Sequence, residues 1–179
     1  MKKNVLIISA SPRRYGNSDL LCDRFLAGAL EAGHTADKIF LRDKKINFCL
    51  ACDACKKNGG TCVQKDDMAR ILEQIVAADV LVLATPVYFY TMNAQMKTLI
   101  DRTVAKYPSL GTKDVYIIIA AADSSKPAME RTIEGFRGFL DCYADMTGKG
   151  IVYGTGAWQA GDIKGSPAMD EAYAMGKNV

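Results

Sequence analysis

Short aliphatic runs without polar alternation constrain this chain most. A strand that is apolar on both faces must be covered on both, and the runs near Val5, Val80 and Val115 are of that kind. The segments between them supply the covers. Leu20, Leu21, Phe25, Leu26 and Ala29 share one helical face, and Met68, Ile71, Leu72, Ile75 and Val76 share another. Two further helices carry Met96, Leu99 and Ile100, then Met129, Ile133, Phe136, Leu140 and Tyr143; a last one fits 168–176 behind Pro167. Strands are expected at 5–9, 35–41, 80–84, 115–120 and 151–154. This alternation predicts an α/β fold of five strands and five helices, and 179 residues suit one domain spanning 1–179. Gly33 and Gly148 read as stops for the first and fourth helices, and Asp66 or Asp67 as the cap of the second.

Charge narrows the partners. The 23 Lys and Arg residues are nearly matched by 20 Asp and Glu and form no basic stripe, which argues against nucleic acid as the main partner. The apolar runs are too short to cross a bilayer or to serve as a signal peptide, so a cytoplasmic protein without a membrane partner is expected. His34 is the sole histidine, which leaves little room for histidine catalysis; an exposed helix-to-strand connection is expected around it.

The first strand runs into Ser9-Ala10-Ser11-Pro12-Arg13-Arg14-Tyr15-Gly16-Asn17-Ser18 and then a helix, a context in which helix-start N–H groups favour an anion. Ser9, Ser11, Asn17 and Ser18 offer further donors, and Arg13 a charge. Neither the Walker pattern nor G-x-G-x-x-G is present, so a phosphate monoester fits better than a dinucleotide pyrophosphate. The same loop also reads as an ordinary turn in which Asn17 or Ser18 caps the helix. The third strand leads into Pro86, Val87, Tyr88 and Phe89, where aromatic faces suit a planar heterocycle, although clustered aromatics also serve cores and subunit contacts. Ala121 and Asp123, after the fourth strand, would approach the other edge of such a ring.

Four of six cysteines crowd into the interruption at 47–65, as Cys49-x2-Cys52-x2-Cys55-x6-Cys62. Soft ligands at this spacing suit an iron–sulfur cluster or zinc, and free thiols or a reversible disulfide stay open. Lys56, Lys57 and Lys65 beside them would lower thiol pKa values or solubilise the loop. Cys22 and Cys142 fall in helical segments and read as core or interface residues.

The segments 9–18, Thr85-Pro86-Val87-Tyr88 and Ala94-Gln95-Met96-Lys97…Ile100-Asp101-Arg102, with Gly161-Asp162-Ile163 near the end, resemble the flavodoxin-like NAD(P)H-dependent FMN reductases and iron–sulfur flavoproteins. The resemblance implies a flavodoxin-like three-layer sandwich with strand order 2-1-3-4-5, non-covalent FMN and NAD(P)H as co-substrate. It implies electron transfer to a small-molecule or protein acceptor such as a quinone or flavin, and homodimers or homotetramers. It matches Ser9, Ser11, Arg13, Asn17 and Ser18 to the phosphate loop and Pro86, Val87, Tyr88 and Phe89 to the ring loop. It implies a [4Fe–4S] cluster at Cys49, Cys52, Cys55 and Cys62, on which an electron carrier is the alternative function; a zinc-stabilised binding module is the other. No side-chain acid or base is required for flavin chemistry, so no catalytic residues are expected. Asp101 and Arg102 match a recurrent pair and are expected to hold neighbouring loops together.

Overall fold

The computed structural model describes residues 1–107 and 109–179. Six strands are present: β1 (Asn4–Ser9), β2 (Thr35–Phe40), β3 (Val80–Tyr88), β4 (Thr91–Met92), β5 (Lys113–Ala120) and β6 (Met146–Gly154). Helices α1 (Asn17–Glu31), α2 (Ala54–Lys57), α3 (Met68–Ala77), α4 (Ala94–Arg102), α5 (Glu130–Leu140) and α6 (Pro167–Lys177) complete it. The main strands lie in the order β2-β1-β3-β5-β6, all parallel, which is the expected order once the small β4 is counted.

The doubly covered strands explain the unbroken apolar runs. Leu6 and Ile8 join the core shared with α3, α4 and α5, whereas Val5 and Ile7 join the core under α1 and α6. Adjacent residues thus point to opposite layers, and both layers are apolar. On the second face α1 and α6 meet at backbone distance. A Cβ at Gly28 would lie 2.1 Å from the Tyr173 carbonyl oxygen, and one at Gly176 would lie 2.0 Å from that of Phe25. Only glycine permits this approach, which sets the C-terminal half of α1 against the C-terminal half of α6.

The sequence expectations differ from the structure in several places. β3 continues through Pro86 to Tyr88 and folds back into β4, pairing Val87 with Met92 and Tyr88 with Thr91, which raises the strand count to six. Pro86 is tolerated because β3 pairs with β1 only as far as Ala84, so its missing N–H costs no bond on that edge. The fourth helix ends at Leu140, so Gly148 is no helix stop. It lies inside β6, which starts five residues earlier than expected and carries a register shift where Val115 faces Gly148 and Tyr116 faces Gly150. The segment 47–65 holds one short helix, α2, with exposed loop on either side. Cys142 lies beyond α5 and is exposed, whereas Cys22 is fully buried as expected.

Candidate functional site

The loop after β1, the β3–β4 hairpin and the start of the segment after β6 meet at the carboxyl ends of the strands. They enclose a cavity of about 400 Å³, within the roughly 300–1,000 Å³ of small-molecule sites. Ser11, Pro12, Arg13, Asn17 and Ser18 form one wall, and Pro86, Val87 and Tyr88 a second. Ala120, Ala122, Ala157 and Trp158 close the third. Small side chains there let a ligand approach backbone.

Several expected site residues lie elsewhere. Ser9 is buried away from the cavity wall, and its hydroxyl donates to the Asp19 carboxylate at 3.3 Å. Asp19 also accepts from Lys38 at 3.0 Å and from the Tyr15 N–H at 3.2 Å. Burial works against the Lys38 charge, but Asp23 and Asp19 hold its pKa above the ordinary lysine value. Burial also pushes the neighbouring Cys22 thiol far above its usual range, so it is inert at neutral pH. Ala121 faces away, with Ala120 and Ala122 lining in its place. Asp123 accepts from the Ser125 N–H at 2.8 Å and from the Tyr90 hydroxyl at 3.4 Å. Phe89 is wholly exposed at the hairpin tip.

The wall formed by the loop after β1 and the start of α1 has features that suit an anion. Gly16 occupies the N-cap of α1 and offers no side chain to the first-turn amides. A Cβ there would lie 2.4 Å from the Ser11 oxygen, so glycine keeps the loop folded against the helix. Ser11 donates to the Arg13 carbonyl at 2.8 Å and accepts from the Arg13 N–H at 3.3 Å. Ser18 is the exception. Its hydroxyl is buried without a partner, as are those of Thr132 and Ser166 among the described residues, but only Ser18 lines this cavity. Leaving a buried hydroxyl unsatisfied costs about 1–3 kcal/mol, and a phosphate oxygen at this wall would recover it. The donor set therefore fits the phosphate of FMN.

Asn93, which sequence reasoning passed over, ties the two walls together. Its side chain donates to the Ala10 carbonyl at 2.6 Å and caps α4 by accepting from the Met96 N–H at 3.1 Å. Its own N–H donates to Thr85 Oγ1 at 3.1 Å. An Asn immediately before an amphipathic run is a helix-start signal, but its bond to another loop has no local signature.

The cysteine segment borders a larger cavity of about 800 Å³, lined by Cys49, Cys52, Cys55 and Cys62 together with Cys142 and Tyr143. Its two lining cations, Lys97 and Arg102, are both already paired, Lys97 with Asp101 at 2.6 Å and Arg102 with Asp66. Arg102 is buried and forks onto both Asp66 oxygens at 2.7 and 3.0 Å. It also donates to the Asn47 carbonyl at 2.7 Å and to Cys62 Sγ at 3.6 Å. Burial opposes the Asp66 charge, yet the Arg102 guanidinium holds this carboxyl below the usual range. Asp66 also accepts from the Met68 N–H at 3.2 Å and so supports the start of α3. Arg102 is therefore the staple expected of it, whereas Asp101 serves only the surface pair with Lys97. Among the described residues no three Cys, His, Asp or Glu side chains are gathered closely enough to hold a metal ion. Four thiols border one cavity, and as arranged they do not form the cage of a cluster.

Comparison with known proteins agrees with the fold. The family model for NADPH-dependent FMN reductase matches residues 3–149. An iron-sulfur flavoprotein of Methanocaldococcus jannaschii is 33% identical over 183 residues, covering 98% of this chain and 94% of that protein. One from Archaeoglobus fulgidus is 38% identical over 122 residues, covering 67% of this chain; that alignment spans about half, 55%, of the relative. Among solved structures, the NAD(P)H:quinone oxidoreductase from Methanothermobacter marburgensis has the same fold, with a TM-score of 0.76 at 21% identity over 99% of this chain and 96% of that one. No helix among the described residues is long and apolar enough to cross a membrane. The chain belongs to the NADPH-dependent FMN reductase family and is by family an oxidoreductase that uses FMN.

Proposed function

We propose that the 400 Å³ cleft binds FMN and that the chain transfers electrons from NAD(P)H to a second acceptor, a quinone, a flavin or a similar compound. The observation that carries this reading is the unpartnered Ser18 hydroxyl at the start of α1, on a wall facing the β3–β4 hairpin. Ser11, Ser18 and Arg13 would hold the phosphate with the first-turn amides of α1. Pro86, Val87 and Tyr88 would flank the ring, and the backbone at Ala122 would meet its far edge. Bound FMN supplies the hydride chemistry, so the protein's work is to orient the cofactor and to set the polarity around it. The chain acts on this reading as a cytoplasmic homo-oligomer.

Titration with FMN tests the reading directly. The expected result is a rise in thermal midpoint and quenching of flavin fluorescence; unchanged values for both would sink it. Ser11→Asp sets a carboxylate against the phosphate and is expected to weaken FMN by at least about tenfold. NADH and NADPH mixed with the FMN-loaded protein should bleach the flavin absorbance within a turnover, which a pure electron carrier would not do.

A second reading, an iron–sulfur flavoprotein with a [4Fe–4S] cluster, is favoured by the four thiols on one cavity and by the names of the archaeal relatives. It requires the 47–65 segment to rearrange so that the sulfurs converge. Anaerobic reconstitution followed by iron analysis of the parent and Cys52→Ala proteins decides it: iron in the parent alone supports ligation, and equal iron in both refutes it.

A further inference from the structure

The turn between β6 and α6 is built with unusual completeness around one exposed side chain. Asn17 Nδ2 donates to the Ala157 carbonyl at 3.2 Å and to the Gln159 carbonyl at 2.8 Å. Its Oδ1 accepts from the Gly161 N–H at 3.0 Å and the Ile163 N–H at 3.3 Å. An amide side chain has two donor hydrogens and two acceptor lone pairs, and all four are used within this turn. Asn17 therefore has nothing left for a phosphate. Arg13 donates to the Trp158 carbonyl at 3.2 Å, and Asp162 accepts from the Trp158 and Gln159 N–H groups at 3.0 and 2.6 Å. Gly156 and Gly161 supply the left-handed conformations that the turn needs.

The product of this effort is Trp158, the only tryptophan in the sequence, 70% exposed and lining the cleft. An indole held in water by a fully bonded backbone gains nothing from folding. We infer that Trp158 contacts bound flavin as the third wall of the cleft, and that Asn17 is a positioning residue that latches the 157–163 turn in place rather than a phosphate ligand. This inference rests on the FMN reading above.

Phosphate ligation and latching separate cleanly when FMN and riboflavin are compared, because riboflavin has the same ring and ribityl chain without the phosphate. Both are titrated by flavin fluorescence into the full-length protein and into Trp158→Ala, Trp158→Phe, Asn17→Ala and the Asn17→Ala/Trp158→Ala double variant. Trp158→Ala is expected to weaken both ligands by about tenfold, with Trp158→Phe recovering to within about threefold of the parent. Asn17→Ala is expected to weaken both by one common factor, and the double variant to be no weaker than the poorer single variant. A loss confined to FMN in Asn17→Ala would make Asn17 a phosphate ligand and overturn the latch. Unchanged affinities in Trp158→Ala would place the indole outside the site and overturn its contact with flavin. Failure of the parent to bind either ligand would instead overturn the flavin reading, and this inference with it. Should Asn17→Ala fail to fold, Asn17→Asp keeps the acceptor but sets carboxylate against two carbonyls, with the same equal loss expected for both ligands. The Trp158 variants change only an exposed side chain and decide the contact independently.

Discussion

The two ends of α4 serve two regions built in opposite ways. At its start, Asn93 joins the loop after β1 to the β3–β4 hairpin, and among the described residues that line the cleft only Ser18 has a buried side-chain hydroxyl without a partner. At its end, Arg102 anchors the cysteine segment at Asn47, Cys62 and Asp66, yet Cys49 and Cys52 between these anchors stay exposed. One region is tied across its walls and the other is held at its margins. A helix nine residues long thus has a bonded cleft at one end and an exposed cysteine loop at the other.

Arg102→Ala tests the margin most severely. It would leave the Asp66 carboxylate buried and unpaired, so a loss of about 3–5 kcal/mol in urea unfolding is expected. A loss below about 1 kcal/mol would mean that Asp66 finds water or another partner and that the staple is dispensable. Asn93→Ala makes the matching test of the cleft. It removes the bond to Ala10 and the cap of α4 together, with an expected loss of about 2–3 kcal/mol. FMN affinity should fall in the Asn93 variant but hold in a folded Arg102 variant, because of these two residues Asn93 alone ties walls of the cleft together; equal losses would show that the two ends of α4 are coupled.

The contrast also explains what could be read from sequence. The three central strands were legible because Val5 to Ile8, Val80 to Leu83 and Val115 to Ile119 are apolar on both faces, a pattern few other arrangements allow. The position of the loop between β1 and α1, where phosphate binding is proposed, followed from strand, loop and helix in succession. The roles inside it did not. Asn17, Ser11 and Ser18 are alike as polar residues in one loop, and only the carbonyls of Ala157 and Gln159, some 140 positions away, make Asn17 a latch. Trp158 gave a faint signal as a lone tryptophan ahead of Gly161 and Asp162. The β3–β4 hairpin gave none, since its turn uses Phe89 and Tyr90 at positive φ where Asn-Gly would have announced it. Gly148 misled because a glycine in a bulge and a glycine after a helix look the same in a string.

Ser18→Ala sharpens the comparison by changing sign with the ligand. Without FMN the variant should be as stable as the parent or slightly more so, since a buried hydroxyl without a partner is removed. With FMN it should bind at least about tenfold more weakly, the lower end of the value of one hydrogen bond to a charged group. A clear loss of stability in the ligand-free protein would show that the hydroxyl is bonded in solution and would remove the main support for the phosphate wall.

The smallest effect concerns strain that both regions share. Phe89 and Tyr90 in the hairpin, and Ala51 and Asp53 in the cysteine segment, hold positive φ without being glycine, at about 1–2 kcal/mol each. Ala51→Gly should raise stability by about 0.5 kcal/mol, since relief of strain slightly exceeds the added entropy of the unfolded chain. Phe89→Gly should gain about as much, because the Phe89 ring is fully exposed and gives up no packing. FMN affinity should stay within about threefold, because the pairs Val87–Met92 and Tyr88–Thr91 hold the hairpin without help from the turn residue. A larger loss of affinity accompanied by a gain in stability would mean that the cleft keeps its strained turn for binding, and would set it apart from the cysteine segment in one more respect.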